Sequence, residues 1–200
     1  NKDKKTVFVW PEGTFIGENF YGSNEVKSLF KKNFSKNHLV IFGGNTKNKG
    51  EFFNSMQIAD NEFNVIYKYD KKKLVPFGEF LPFEEYLASF GLKKITPGYK
   101  SFSKGQGDSV IEVNLGTKKF NLLTLICYEI IFPNLVEKNL NRFNFILNIS
   151  EDAWFGESIG PYQHFAKSIF RSIESRSYTI RSANKGMSAF VDPTGKILKN

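Results

Sequence analysis

The sequence predicts an α/β fold in a single domain, on three observations. Short runs rich in β-branched and aromatic residues alternate with segments of helical spacing along the whole chain. Residues with acid–base or nucleophilic chemistry stand just past the ends of those runs, where α/β proteins place their sites. The length of 200 residues, 40% of them hydrophobic, suits one domain with its own core. No internal repeat or low-complexity linker divides the chain.

Lys5 to Val9 reads as the first strand. It ends in the sharp turn Trp10-Pro11-Glu12-Gly13, with Glu12 just past the strand. Asn24 to Phe34 has helical spacing, with Val26, Leu29 and Phe30 on one face and Ser23 as its cap. His38 to Phe42 is the next strand, closed by Gly43-Gly44, and Thr46 to Gly50 is a polar loop. Glu51 to Ile58 and Phe63 to Tyr69 pair around the turn Asp60-Asn61. Lys71-Lys72-Lys73 then leads into Leu74-Val75-Pro76-Phe77-Gly78-Glu79-Phe80-Leu81-Pro82. Its prolines and glycine forbid a regular helix or central strand and predict an ordered, bent loop. Phe83 to Phe90 is a short helix, and Gly98 to Gly107 is loop. Val110 to Val113 and Lys119 to Ile126 are strands, and Val136 to Leu140 is the end of a helix. Phe143 to Ile149 is a strand that delivers Ser150 to Gly156 at its tip. Tyr162 to Ser175 is a helix with Phe165, Ile169 and Ile173 along one face. Tyr178 to Ser182 and Met187 to Val191 are strands, followed by the turn Asp192-Pro193-Thr194-Gly195. A further strand is running where the chain stops.

Composition narrows the function classes. The net charge is +8, but the lysines are scattered, and no zinc spacing, RNP-like strand or long basic helix accompanies them. Nucleic acid is therefore not an expected partner. A basic surface also suits anionic lipid headgroups, and some of the 22 phenylalanines are candidates for an exposed apolar rim. One cysteine, Cys127, excludes an internal disulfide and a cysteine-built zinc site, and His38 and His164 add little for metal. No apolar run reaches the roughly 18 residues of a membrane span.

The stretch FNLLTLICYEIIFP, Phe120 to Pro133, carries that cysteine at the end of an apolar strand, followed at once by Tyr128 and Glu129. Two readings fit the residues alone: a small core side chain, or a nucleophile on a strand-end turn. A nucleophilic thiol needs a base, and an acyl-transfer intermediate needs a group that holds the oxyanion. His38 starts a strand and His164 lies within a helix pattern, so both read as structural. A carboxylate can replace histidine as base, and Glu12 is placed for it. Lys71, ahead of the rigid proline loop, is placed to supply a fixed positive charge.

Trp10-Pro11-Glu12, Lys71 leading into LVPFGEFLPFE, ICYEIIFP, DAWFG, SIGPYQHF and VDPTGKI occur in order along nearly the whole chain. Together they resemble the apolipoprotein N-acyltransferases, the lipoprotein-acylating members of the nitrilase-like (carbon-nitrogen hydrolase) superfamily. The resemblance implies a nitrilase-like α-β-β-α sandwich over residues 1–200, truncated at both ends and without the family's flanking membrane helices. It implies a catalytic triad of Cys127 as nucleophile, Glu12 as general base and Lys71 as stabiliser of the tetrahedral intermediate. Glu79 and Glu129 match supporting carboxylates, and Tyr128 and Trp154 match positions near the cleft. The implied reaction moves an acyl chain from a phospholipid to Cys127, then to the α-amino group of a diacylglyceryl apolipoprotein, with no metal or other cofactor. The implied setting is the bacterial inner membrane, with this domain on the periplasmic side. Phe77, Phe80, Leu81, Phe83 and Tyr86 are candidates for an apolar cleft mouth.

The sequence departs from the pattern at Glu151, where asparagine is expected before DAWFG, and at Lys185, within an otherwise NNG-like stretch. Two other readings remain. One is a soluble nitrilase-like amidase that uses the same three residues on small amides. The other is a degenerate domain kept for interaction, against which the presence of all three residue types argues.

Overall fold

The structure, a computed structural model, describes residues 2–16, 23–83 and 101–200. Beyond Phe83, the helix expected over 83–90 lies outside the described residues, as do Tyr86 and the start of the loop at Gly98.

Two sheets stack face to face. The first has the order β1-β2-β3-β4, formed by Thr6–Val9, His38–Asn48, Glu51–Ala59 and Val65–Asp70. β1 and β2 are parallel, and β2, β3 and β4 run antiparallel. The second sheet has the order β10-β9-β8-β7-β6-β5. Its strands are β5 (Val110–Leu115), β6 (Lys118–Ile126), β7 (Phe145–Glu151), β8 (Tyr178–Asn184), β9 (Ala189–Val191) and β10 (Ile197–Lys199). The central trio β6, β7 and β8 is parallel, with antiparallel neighbours outside it. Helix α1 is Asn24–Asn33, α2 is Pro133–Glu137 and α3 is Gly160–Ser175.

Strand periodicity explains the layering. Leu39 and Ile41 of β2 face the second sheet and join Met56, Ile58, Leu122, Ile126, Leu147 and Ile149 in the inter-sheet core. Their neighbours Val40 and Phe42 point the other way and pack with Phe30 of α1, Ala59 and Phe63. On the far side of the second sheet, Leu123, Leu125 and Ile146 meet Val136 of α2. Phe165 of α3 packs on Ala189 and Val191. The result is the expected α-β-β-α sandwich. Ser23 caps α1, its hydroxyl accepting the Val26 N–H at 3.4 Å. Leu29, expected on the buried face with Val26 and Phe30, is instead 52% exposed.

Several expected boundaries move. Gly43-Gly44 does not end β2; both lie inside it, paired with Met56 and Ser55. The polar segment from Thr46 continues the strand as far as Asn48, and only Lys49 and Gly50, both at positive φ, form the hairpin turn. β7 runs two residues beyond Ile149, so Glu151 is its last residue. Around Val136 the helix is α2, ending at Glu137 rather than Leu140.

Gly43 has a steric task rather than a terminating one. A Cβ there would meet Glu12 Cα at 2.5 Å and Gly13 N at 2.9 Å, so the turn after β1 lies directly on this glycine. The Gly43 N–H donates to the Pro11 carbonyl at 3.1 Å. Gly43→Ala is expected to cost about 1–3 kcal/mol through overpacking against backbone that cannot rotate away. Urea unfolding of the two proteins measures it, and an unchanged midpoint would contradict the contact.

Candidate active site

The site forms where β1, β4, β6 and β7 end. Glu12 follows β1 in the turn that sits on Gly43, Lys71 is the first residue after β4, and Cys127 the first after β6. All three side chains are buried, Lys71 almost completely at 1% exposure. The structure therefore brings together the three residues singled out from widely separated stretches of sequence.

Lys71 lies between two carboxylates. Its Nζ is 3.5 Å from Glu12 Oε1 and 2.9 Å from Glu79 Oε1. Asn54, on β3, bridges the same two oxygens: its Nδ2 donates to Glu12 Oε1 and Glu79 Oε1, each at 2.7 Å. Asn54 also accepts the Lys71 N–H on its carbonyl at 2.9 Å, which fixes where that side chain starts. The second oxygen of Glu12 accepts the Glu151 N–H at 2.9 Å. Glu79 Oε2 accepts the Val75 N–H at 2.8 Å, and Glu79 thereby closes the expected bent loop over Lys71. Burial by itself would lower the Lys71 pKa, but Glu12, Cys127 and Glu79 outweigh it and hold the ammonium well above its ordinary value. Lys71 is a permanent cation here.

Cys127 opens a 3-10 turn, Cys127–Ile131, with φ at 48°. A non-glycine residue in the left-handed region costs about 1–3 kcal/mol and persists only where its surroundings fix it. Glu129 does much of the fixing. It is fully buried. Its carboxylate accepts the Ile126 N–H at 2.8 Å, the Lys72 N–H at 2.8 Å, the Lys73 N–H at 3.0 Å and the Tyr69 hydroxyl at 3.0 Å. One side chain thus ties the end of β6 to the end of β4, which sets Cys127 against Lys71. Burial raises the Glu129 pKa, opposed by those amides and by the Lys71 charge.

Burial also pushes the Cys127 thiol up, to about 12, and the Glu12 carboxylate adds to the rise. Lys71, the Ser150 hydroxyl and the Glu151 N–H oppose it. The resting thiol is therefore protonated at neutral pH. It can act as a nucleophile if a neighbouring base takes the proton as it attacks.

Of the supporting residues expected, Tyr128 is half-buried and packs edge-on against Phe132, with ring centroids 5.2 Å apart. Trp154 is 62% exposed on the 3-10 turn Asp152–Phe155 that follows β7. In the proposed cleft mouth, Leu81 is buried and Phe80 half-buried, whereas Phe77 and Phe83 are exposed. Sequence reasoning missed Asn54, which carries no local signal, since β3 also holds Ser55 and Gln57. It also missed a buried set behind Cys127 made of Ser150, Asp152, His164 and Arg181. His164 is not merely a helix residue facing the core: its Nδ1 lies 2.9 Å from Asp152 Oδ1. Among the described residues, no group of His, Cys, Asp and Glu is arranged to hold a metal ion.

The family described as carbon-nitrogen hydrolase matches residues 8–200. The chain is 38% identical to the apolipoprotein N-acyltransferase of Rickettsia prowazekii, over all of this chain and 40% of that protein. The chain thus spans about two fifths of the length of this curated relative. Among solved structures, the carbon-nitrogen hydrolase superfamily protein XC1258 from Xanthomonas campestris superposes with a TM-score of 0.63 at 13% identity, covering 96% of this chain and 72% of that one. A mutant amidase from Nesterenkonia sp. AN1, with covalent addition of an acetamide moiety at its active site cysteine, superposes with a TM-score of 0.61 at 15% identity, covering 96% and 71%. At such identities the superpositions speak for the fold, and the family match over nearly every residue carries the assignment: the chain belongs to the carbon-nitrogen hydrolase family.

Proposed function

We propose that these 200 residues carry the chemistry of an apolipoprotein N-acyltransferase, with Cys127 as nucleophile, Glu12 as general base and Lys71 as oxyanion stabiliser. The observation that carries the reading is the buried thiol in a left-handed elbow, set beside one carboxylate and one permanent cation. In the first half-reaction, Glu12 takes the Cys127 proton as sulfur attacks an ester carbonyl of a phospholipid. Lys71 holds the negative oxygen of the tetrahedral intermediate. The ester C–O bond then breaks, Glu12 returns the proton to the departing alkoxide, and lysophospholipid leaves a thioester on Cys127. In the second, the neutral α-amino group of a diacylglyceryl-cysteine attacks the thioester. Glu12 removes a proton from nitrogen and delivers it to the leaving sulfur, and the amide is released. Asn54 and Glu79 keep Glu12 and Lys71 aligned, while Glu129 sets the elbow.

The lipid side of the reading draws support from exposed apolar side chains in the segments that follow β4 and β7. Phe77, Phe83, Trp154, Ile159 and Tyr162 are all exposed there. A membrane-bound donor and acceptor would meet such a rim in the bacterial inner membrane, on its periplasmic side. No helix among the described residues is long and apolar enough to cross a membrane.

The test is intact-mass and peptide analysis after incubating the purified protein with phosphatidylethanolamine vesicles. A fatty-acyl mass on the Cys127 peptide, discharged by a diacylglyceryl lipopeptide, is the expected result. No adduct, together with ammonia release from small amides, would replace this reading with the amidase one.

A further inference from the structure

The polar groups behind Cys127 form a closed circuit that begins and ends on that residue. The Ser150 hydroxyl lies beside the thiol and donates to Asp152 Oδ1 at 2.7 Å. Asp152 Oδ1 is 2.9 Å from His164 Nδ1. His164 Nε2 is 3.2 Å from the Cys127 carbonyl oxygen. A carbonyl oxygen only accepts, so Nε2 carries the hydrogen and donates it. Arg181 fixes the far edge, its Nη2 donating to Asp152 Oδ2 at 2.8 Å and standing 3.2 Å from His164 Nδ1. Arg181 is itself held by the Asn148 side chain and, through Nε, by the Met187 carbonyl at 3.2 Å. Gly186 packs directly on this set: a Cβ there would meet Asp152 Oδ2 at 2.1 Å. Ser150, Asp152, His164 and Arg181 are all buried.

A histidine present only to fill space would not need a carboxylate and a guanidinium to orient it. Glu129 restrains the elbow from its upstream side through the Ile126 N–H. The Cys127 carbonyl is the downstream handle, and His164 holds it. We infer that His164 is a positioning residue: aimed by Asp152 and Arg181, its Nε2–H clamps the Cys127 carbonyl and keeps the thiol directed between Glu12 and Lys71. The inference rests on Cys127 being the nucleophile, as proposed above. Geometry of this kind matters because a misplacement of about 1 Å at a nucleophile can cost roughly 100-fold in rate.

Two variants separate the clamp from simple packing. His164→Gln places an amide N–H near the Nε2 position and can still reach the Cys127 carbonyl. His164→Asn places one near Nδ1 and leaves that carbonyl unbonded. The rate of Cys127 alkylation by iodoacetamide, followed on the Cys127 peptide of the purified protein, reads thiol placement without any lipid. Acyl-enzyme formation from phosphatidylethanolamine is read in parallel. The expected result is a Gln variant within about threefold of wild type and an Asn variant slowed about 100-fold in both rates, with KM for the lipid unchanged. Equal rates in the Asn variant and wild type, or equal loss in Asn and Gln, would overturn the clamp. If the Asn variant does not fold, Asp152→Asn takes its place. It keeps the shape and removes the charge that aims the ring, and an alkylation rate equal to wild type would overturn the clamp equally. The expected alkylation pattern without any acyl-enzyme in wild type would overturn the acyltransferase reading and leave the clamp standing.

Discussion

Glu12→Gln should slow acylation of Cys127 by about 1,000-fold and, in the same protein, speed its alkylation at pH 8 to 9. The two effects have opposite signs because, in the proposed mechanism, Glu12 acts on the thiol in two ways. As the proposed base it would accept the proton during attack, and removing a positioned base typically costs 100- to 10,000-fold, roughly. As a buried negative charge it disfavours the thiolate: after burial, it is the largest influence pushing the Cys127 thiol up to about 12. Below that value the thiolate fraction falls about tenfold per pH unit, so roughly one thiol in 10,000 is ionised at pH 8. Glutamine is isosteric and neutral. Its amide oxygen can keep the Glu151 N–H that anchors the turn, while its amide NH2 then faces Asn54 Nδ2 and Lys71 and loses those contacts. Lys71, Ser150 and the Glu151 amide, which favour the thiolate, then act with less opposition and the thiol pKa falls. Iodoacetamide needs only the thiolate and no base, so its rate rises. Acyl transfer needs the base, so its rate collapses. Rates measured from pH 6 to 10 on both proteins decide the matter. Parallel loss in both assays would mean that Glu12 holds structure rather than the proton.

How much of this was legible before the fold was known varies with the physics involved. β6 with Cys127 at its tip was legible because a run of branched apolar residues has few other uses, and a lone thiol followed by a buried carboxylate is an unusual ending. The bent loop around Glu79 was legible because proline constrains the backbone regardless of context. Gly43-Gly44 misled because glycine marks both strand ends and close backbone contacts, and only the third dimension places Glu12 on Gly43. Asn54 gave no warning: its role depends on β3 lying across Glu12 and Glu79, which are 42 and 25 residues away from it. His164 and Arg181 were unreadable for the same reason. Their partner Asp152 was visible in the DAWFG stretch, but nothing local says that a helix and a neighbouring strand converge on it. Pairwise chemistry between distant segments is set by topology, whereas local stiffness and hydrophobic runs are set by residue type.

Lys71→Met should abolish acyl transfer and weaken the fold by about 3–5 kcal/mol, because it strands two buried carboxylates rather than removing a favourable contact. Glu12 and Glu79 are both within 3.5 Å of the ammonium, and Asn54 has one amide nitrogen to share between them. Without the cation they repel across a site from which water is largely excluded. Protonating one of them relieves the repulsion, and the sign of the pH dependence follows. The native variant then binds more protons than its unfolded chain above the ordinary carboxylate range, so its stability falls as pH rises there. Urea midpoints should drop more steeply with rising pH for Lys71→Met than for wild type. The double variant Lys71→Met/Glu79→Gln removes one of the two charges and should recover most of the lost stability. It should recover no activity, since nothing then neutralises the oxygen of the tetrahedral intermediate, a deficit of about 100- to 1,000-fold on its own. If activity returned along with stability, Lys71 would be a counter-ion of the fold, and the oxyanion would have to be held by backbone amides alone.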